Sequence, residues 1–143
     1  MKIAVCASMV FSPELLELEK QLTTMGHKVV LPDFTAEYAR MQSRGQMKTE
    51  SAHNKISNDL IKGYFHKIKD SDAILVFNLK KGEVDNYIGG NTFLEMGFAH
   101  VLEKPIFLYN PIPNMHYLDE LEAMKPIIIN KDLSKIRNIK HQA

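Results

Sequence analysis

The sequence predicts an α/β domain with a five-stranded, mainly parallel sheet and helices on both faces. Short apolar runs alternate with longer helical patterns in the order β-α-β-α-β-α-β-α-β-α. The runs are continuous rather than alternating, which predicts strands buried on both faces. The chain has 143 residues, 45% of them hydrophobic, enough for one domain with its own core spanning 1–143.

Lys2 to Ala7 is the first predicted strand. Ser12-Pro13-Glu14 reads as a helix start, with Ser as N-cap, Pro in the first turn and an acid behind it. Leu15, Leu18, Leu22 and Met25 follow at helical spacing, and Gly26 is placed to stop the helix. His27 to Leu31 is a second strand, ended by Pro32. Phe34 to Glu50 is polar and without clear period, a loop or short helix whose length suits a cover over a site. From about Ser51 the pattern turns helical, with Ile56, Leu60, Tyr64 and Ile68 on one stripe widened by Ile61 and Phe65.

Ala73 to Phe77 is the third strand, with Asp70 and Asp72 closing the preceding helix and opening the turn. A second long loop runs from Asn78 to Gly90, then a helix from Asn91 to Glu103. Pro105 to Tyr109 is the fourth strand, Tyr117 to Met124 a short helix, Pro126 to Ile129 the fifth strand and Asp132 to Ile139 a closing helix.

Eighteen basic and 17 acidic residues give a formal net charge of +1, which argues against a dedicated surface for a nucleic-acid polymer or an acidic membrane. No apolar run approaches membrane-spanning length, and the N-terminus opens directly into a strand, so the cytoplasm is the expected compartment. Cys6 is the sole cysteine and reads as a small core residue. The histidines, His27, His53, His66, His100, His116 and His141, show no metal-ligand spacing, and neither a dinucleotide fingerprint nor a lysine-bearing phosphate loop is present. No metal site and no cofactor are expected.

Glu95 is the strongest site candidate. Its helix, NTFLEMGFAHVLEK, has almost no polar face, so the helix should be largely buried, with Glu95 sharing a face with Phe98, Ala99 and Leu102. Burying a carboxylate costs several kcal/mol unless something pairs with it. The helix N-terminus offsets part of that cost. Gly89, Gly90, Asn91 and Thr92 precede it, and a glycine turn into a helix start can cradle a phosphate with backbone N–H groups or be an ordinary helix start. Asp59 lies on the second helix beside the apolar stripe, as a site acid or a solvated one. Ser8 follows the first strand at the edge where ligands bind in such sheets, to hold phosphate or sugar or to make a turn.

Three segments together resemble the nucleoside 2-deoxyribosyltransferase family, including the 2′-deoxynucleoside 5′-phosphate N-hydrolases: the opening strand ending in CAS, the stretch NDLIKGYFHKIKDSDAILVF, and GGNTFLEMGFAHVLEKPIFLY. The resemblance implies a flavodoxin-like, Rossmann-like three-layer sandwich, and a homodimer or higher homo-oligomer in which a neighbouring subunit completes the site. It implies cleavage or transfer at the N-glycosidic bond of a (deoxy)nucleoside or its 5′-monophosphate. Glu95 maps onto the nucleophile, Asp59 onto the acid that handles the sugar and the departing base, and Ser8 onto a position that can contact the 5′-phosphate. An aromatic common in the family's first strand is replaced by Ala4, and an acid six residues before the nucleophile by Gly89, for which Asp85 or Asn86 could substitute. Two alternatives stand beside this one. GGNTFLE keeps the Thr-x-x-Glu of cytokinin-activating phosphoribohydrolases but lacks one glycine. A nucleotide-binding sensor without turnover would keep the same pocket.

Overall fold

The apolar runs form five strands: β1 Lys2–Cys6, β2 Lys28–Val30, β3 Ala73–Val76, β4 Ile106–Leu108 and β5 Ile127–Ile128. The structure is a computed structural model and describes residues 1–42 and 59–139. Every strand pairing is parallel, in the order β2-β1-β3-β4-β5. That is the strand order of the flavodoxin-like, doubly wound α/β fold. The expected class therefore holds, with a sheet that is wholly rather than mainly parallel.

The helices are α1 Ser12–Thr24, α2 Thr35–Gln42, α3 Leu60–Lys69, α4 Gly90–Val101 and α5 Leu118–Ala123, with single 3-10 turns at Met9–Phe11 and Leu133–Lys135. Side chains alternate across a strand, and this sorts the core into two layers. Ile3, Val5, Leu75, Phe77 and Phe107 pack on Leu15, Leu18 and Leu22 of α1. Ala4, Cys6, Ile74, Val76 and Leu108 pack the other way, against Tyr64 and Ile68 of α3, Met96 and Ala99 of α4 and Leu121 of α5. Each large apolar side chain so buried contributes about 1.5–3 kcal/mol. The edge strands escape the two-faced burial predicted for every strand: Ile128 of β5 is 36% exposed, and Val29 and Val30 of β2 are half-buried.

Several elements differ from the sequence reading. Ser12 does not cap α1. The chain enters the helix through the Met9–Phe11 turn, and the Ser12 hydroxyl donates to the Met9 carbonyl at 2.6 Å. Gly26 does end α1, at φ 93°, with His27 N–H donating to Leu22 O and Gly26 N–H to Thr23 O. The segment after Pro32 contains α2, which lies against α1 and buries Tyr38. Its remainder, and the predicted helical start from Ser51 including Ile56, fall outside the described residues.

The predicted closing helix over Asp132 to Ile139 is instead the single turn Leu133–Lys135 followed by extended chain. Asp132 accepts from the N–H and hydroxyl of Ser134, and Ile136 then leaves the helical region at ψ 106°. One turn suffices to place Leu133 and Ile136 on the α1 layer, and Ile139, the next residue at that spacing, is left 43% exposed. Asp70 is the C-cap of α3, and Asp72 accepts from Lys2 N–H at 2.7 Å, so both act as the sequence suggests.

The carboxyl ends of β3 and β4 are joined by a pair of buried asparagines. The Asn78 side-chain amide reaches the carbonyls of Asn110 at 3.0 Å, Pro111 at 3.2 Å and Asn86 at 3.4 Å. Its side-chain oxygen accepts from Asn110 N–H at 2.9 Å, and Asn110 Nδ2 donates back to Asn78 O at 3.0 Å. This clasp fixes the loop that leads into α4.

Candidate active site

Glu95 lies in the second turn of α4, whose buried face is Thr92, Glu95, Met96 and Ala99. The carboxylate-bearing residue is 4% exposed. The helix is less enclosed than its composition suggests: Leu94 is 47% and Val101 80% exposed. The apolar residues on that outer face make it an unpolar surface rather than core.

Two polar side chains share the interior with Glu95. Cys6, the last residue of β1, is fully buried on the face of the sheet that packs against α4. Burial raises the thiol pKa well above its ordinary value, with the Glu95 charge adding to the effect. Tyr64, 3% exposed on α3, donates from its hydroxyl to the carbonyl of Val5 and shares it with Val30 O at 3.2 Å. Its pKa is raised well above ordinary, first by burial and then by Cys6, Glu95 and Asp33. Asp33 itself pairs with Lys67 at the carboxyl end of β2. The sequence offered Cys6 and Tyr64 only as core residues. The available signal was a phenol inside an aliphatic stripe, since a buried Tyr hydroxyl has to find an acceptor.

The other sequence candidates are placed as follows. Asp59 is not inside the helix but is the N-cap of α3, exposed, in the left-handed region at φ 44°, accepting from Lys62 N–H at 3.3 Å. It lies five residues before Tyr64, which sits in the middle of α3. Ser8 follows β1 and caps the Met9–Phe11 turn, accepting from Val10 N–H at 3.4 Å. Gly89 is the N-cap of α4 and supplies no side-chain cap. A Cβ there would stand 3.0 Å from the Tyr87 hydroxyl, a tight contact that Tyr87 would have to shift to relieve. Gly90 opens the helix with nothing within 4 Å of where a Cβ would sit. Asn91 is half-buried and Thr92 buried at 3%. Ala4 is fully buried in the layer that holds Tyr64. Asp85 is a surface residue, its side chain 79% exposed opposite Lys80. Asn86, at φ 56°, offers its carbonyl to the asparagine clasp.

Among the described residues no cluster of three or more His, Cys, Asp or Glu could hold a metal ion, and no helix is long and apolar enough to cross a membrane. His53 and His141 lie outside the described residues.

No protein-family model and no curated protein sequence matches the chain. A solved structure of the Clostridium botulinum CMP N-glycosidase BcmB is similar in fold, with a TM-score of 0.50 and 18% sequence identity over 92% of this chain and 91% of that one.

Proposed function

We propose that the chain cleaves or transfers at the N-glycosidic bond of a nucleoside or its 5′-monophosphate, with Glu95 as nucleophile. The observation that carries this reading is a carboxylate 4% exposed on α4, directly after a glycine turn, beside the carboxyl end of β1. Doubly wound sheets bind ligands at that edge. The fold neighbour being a nucleotide N-glycosidase supports the same chemistry.

In this mechanism a Glu95 oxygen attacks the anomeric carbon as the carbon–nitrogen bond breaks, through an oxocarbenium-like transition state. The base departs with a proton. Water, or a second base, then attacks the glycosyl-enzyme ester and frees Glu95. Asp59 handles the sugar or supplies the proton, a contribution of about 10²–10⁴-fold in comparable chemistry. The unpaired N–H groups of the first turn of α4, at Gly90, Asn91 and Thr92, together with Ser8, take the phosphate.

The test is chromatography of free base released from ribo- and deoxyribonucleosides and their 5′-monophosphates. Release from at least one is expected, and equal or greater release from ribonucleotides assigns the phosphoribohydrolase variant. Tight binding of a nucleotide without release from any assigns the sensor reading, which the replacements at Ala4 and Gly89 favour. The phosphate role of Gly90 has its own check. Gly90→Ala fills empty space at an ordinary φ, so stability should hold or rise by up to ~1 kcal/mol. KM for a 5′-monophosphate should rise at the same time, by about tenfold, because the methyl group meets the ligand.

The dimer implied by the resemblance is supported by an unpolar strip on the outer face of α3 and α4. Ile61 is 38%, Leu94 47% and Val101 80% exposed, and between them Phe65 and Phe98 meet edge to face at 5.3 Å. Leu94 and Val101 lie two turns apart on one side of α4. Val101→Lys is expected to convert a dimer to a monomer in light scattering while leaving the far-ultraviolet dichroism unchanged.

A further inference from the structure

Buried hydroxyls need partners, and among the described residues one has none. Three of the four are satisfied alike, by donating to a carbonyl three or four residues back: Ser12 to Met9 at 2.6 Å, Thr35 to Pro32, and Ser71 to Lys67 at 2.7 Å. The fourth, Thr92 in the first turn of α4, is 3% exposed and makes no such bond. The carbonyls three and four residues before it are already engaged. That of Gly89 accepts from Phe93 N–H at 2.9 Å, and that of Ile88 accepts from the Tyr117 hydroxyl. A hydroxyl left buried and unbonded is a standing cost to the fold, so this one is kept for something the chain itself does not supply.

Thr92 shares the buried face of α4 with Glu95, one turn on. Residues so spaced stand roughly 5–6 Å apart at Cβ. The Cα–Cβ bond of a helical residue leans toward the helix N-terminus, so the Thr92 side chain leaves the flank of α4 toward the glycine turn. The free N–H groups of that turn point off the helix end, along its axis. We propose that Thr92 Oγ1 binds the 2′-hydroxyl of a ribose, so that the site selects ribonucleosides and their 5′-monophosphates over the 2′-deoxy forms. The proposal rests on the glycosidase reading of Glu95. A carboxylate that displaces the base attacks the anomeric carbon from the ring face opposite the base. On a ribonucleoside that face carries the 2′-hydroxyl, on the adjacent carbon, which brings it beside the attacking group. One hydroxyl suits another because each both donates and accepts. An anionic group on this face would instead stand against the charge of Glu95. Hydrogen bonds to this sugar hydroxyl strengthen as the oxocarbenium-like transition state forms. No proton leaves Thr92, and no covalent bond to its oxygen forms or breaks.

Thr92→Val exchanges the hydroxyl for a methyl group of nearly the same size. The parent should favour a ribonucleoside 5′-monophosphate over its 2′-deoxy counterpart by about tenfold or more in kcat/KM, and Thr92→Val should bring the two to within about twofold. Thr92→Ser, which keeps the hydroxyl, should keep most of the preference. The urea midpoint of Thr92→Val should equal or exceed the parent's, because a methyl group needs no partner there. A preference unchanged in Thr92→Val overturns the proposal, as does a parent that does not favour ribose. A midpoint that falls overturns it too, since it marks a hydroxyl already bonded within the protein. A chain that binds nucleotides but releases base from none defeats the glycosidase reading instead. The same preference, read as a ratio of dissociation constants by titration calorimetry, then decides the role of Thr92. A chain that binds no nucleotide overturns both.

Discussion

Glu95→Gln is expected to lower base release by about a thousandfold or more while leaving the protein at least as stable as its parent. The two halves of this result come from one physical fact. A carboxylate 4% exposed on a helix has given up most of its hydration, and the partial positive charge at the start of α4 returns part of it. Glutamine has nearly the same volume and keeps a side-chain oxygen as acceptor, but carries no charge to desolvate. Its unfolding free energy should match or exceed the parent's by about 1 kcal/mol, the usual direction when a functional residue is replaced by a neutral isostere. Its γ-amide cannot form a glycosyl ester that water resolves, so turnover fails at the first step. If Glu95 were instead one half of a structural buried pair, the signs would reverse. Stability would fall by about 3–5 kcal/mol and base release would persist. Thermal unfolding and base-release chromatography on the same preparation separate these outcomes. Intact-protein mass measured during turnover of a slow substrate should show the added glycosyl group in the parent and none in the variant.

The sheet was legible because buried parallel strands are written as unbroken apolar runs, and β1, β3 and β4 have this form. The ends of α1 and α4 were legible from glycine, since Gly26 supplies a left-handed stop and Gly89–Gly90 a start. The closing helix misled because Leu133 and Ile136, three residues apart, satisfy a 3-10 turn as well as an α-helix, and the sequence alone does not say which. Glu95 stood out as one charge among apolar neighbours on its own helix, a local signal. The company it keeps was not local. Cys6 and Tyr64 reach it only through the register of β1 against β3 and the packing of α3 on α4, which no window of sequence contains. Asp59 was misread by position: its αL conformation makes it the N-cap of α3 rather than a residue inside the helix.

Replacing Asn78 should have the largest effect on the fold itself. Asn78→Ala is expected to cost about 3 kcal/mol in unfolding free energy. The side chain is completely buried and serves four backbone groups at once: the N–H of Asn110 and the carbonyls of Asn110, Pro111 and Asn86. Removing it leaves those groups in an interior with no room for bulk water to replace every bond, so the desolvation penalty of the stranded groups adds to the lost bonds. Asn78→Asp is the sharper variant, because it keeps the shape and turns a donor group toward three carbonyls into an acceptor. Protonated, the new carboxyl can still donate one bond; ionised, one oxygen still accepts from Asn110 N–H while the other faces the three carbonyls and is repelled. Its pKa in the folded state is therefore raised above the unfolded value, so the stability it contributes is present at low pH and is lost as pH rises through the folded pKa. Urea denaturation of this variant should show a deficit against the parent that widens from acid toward neutral pH, whereas the Asn78→Ala deficit should stay constant. The consequence extends to the site. The Asn86 carbonyl held by Asn78 anchors the loop that delivers Gly89 and Gly90 to the start of α4, so Asn78→Ala should raise KM for a 5′-monophosphate more than it changes kcat. A parent-like KM in a measurably destabilised Asn78→Ala would show that the clasp supports the sheet without placing the phosphate turn.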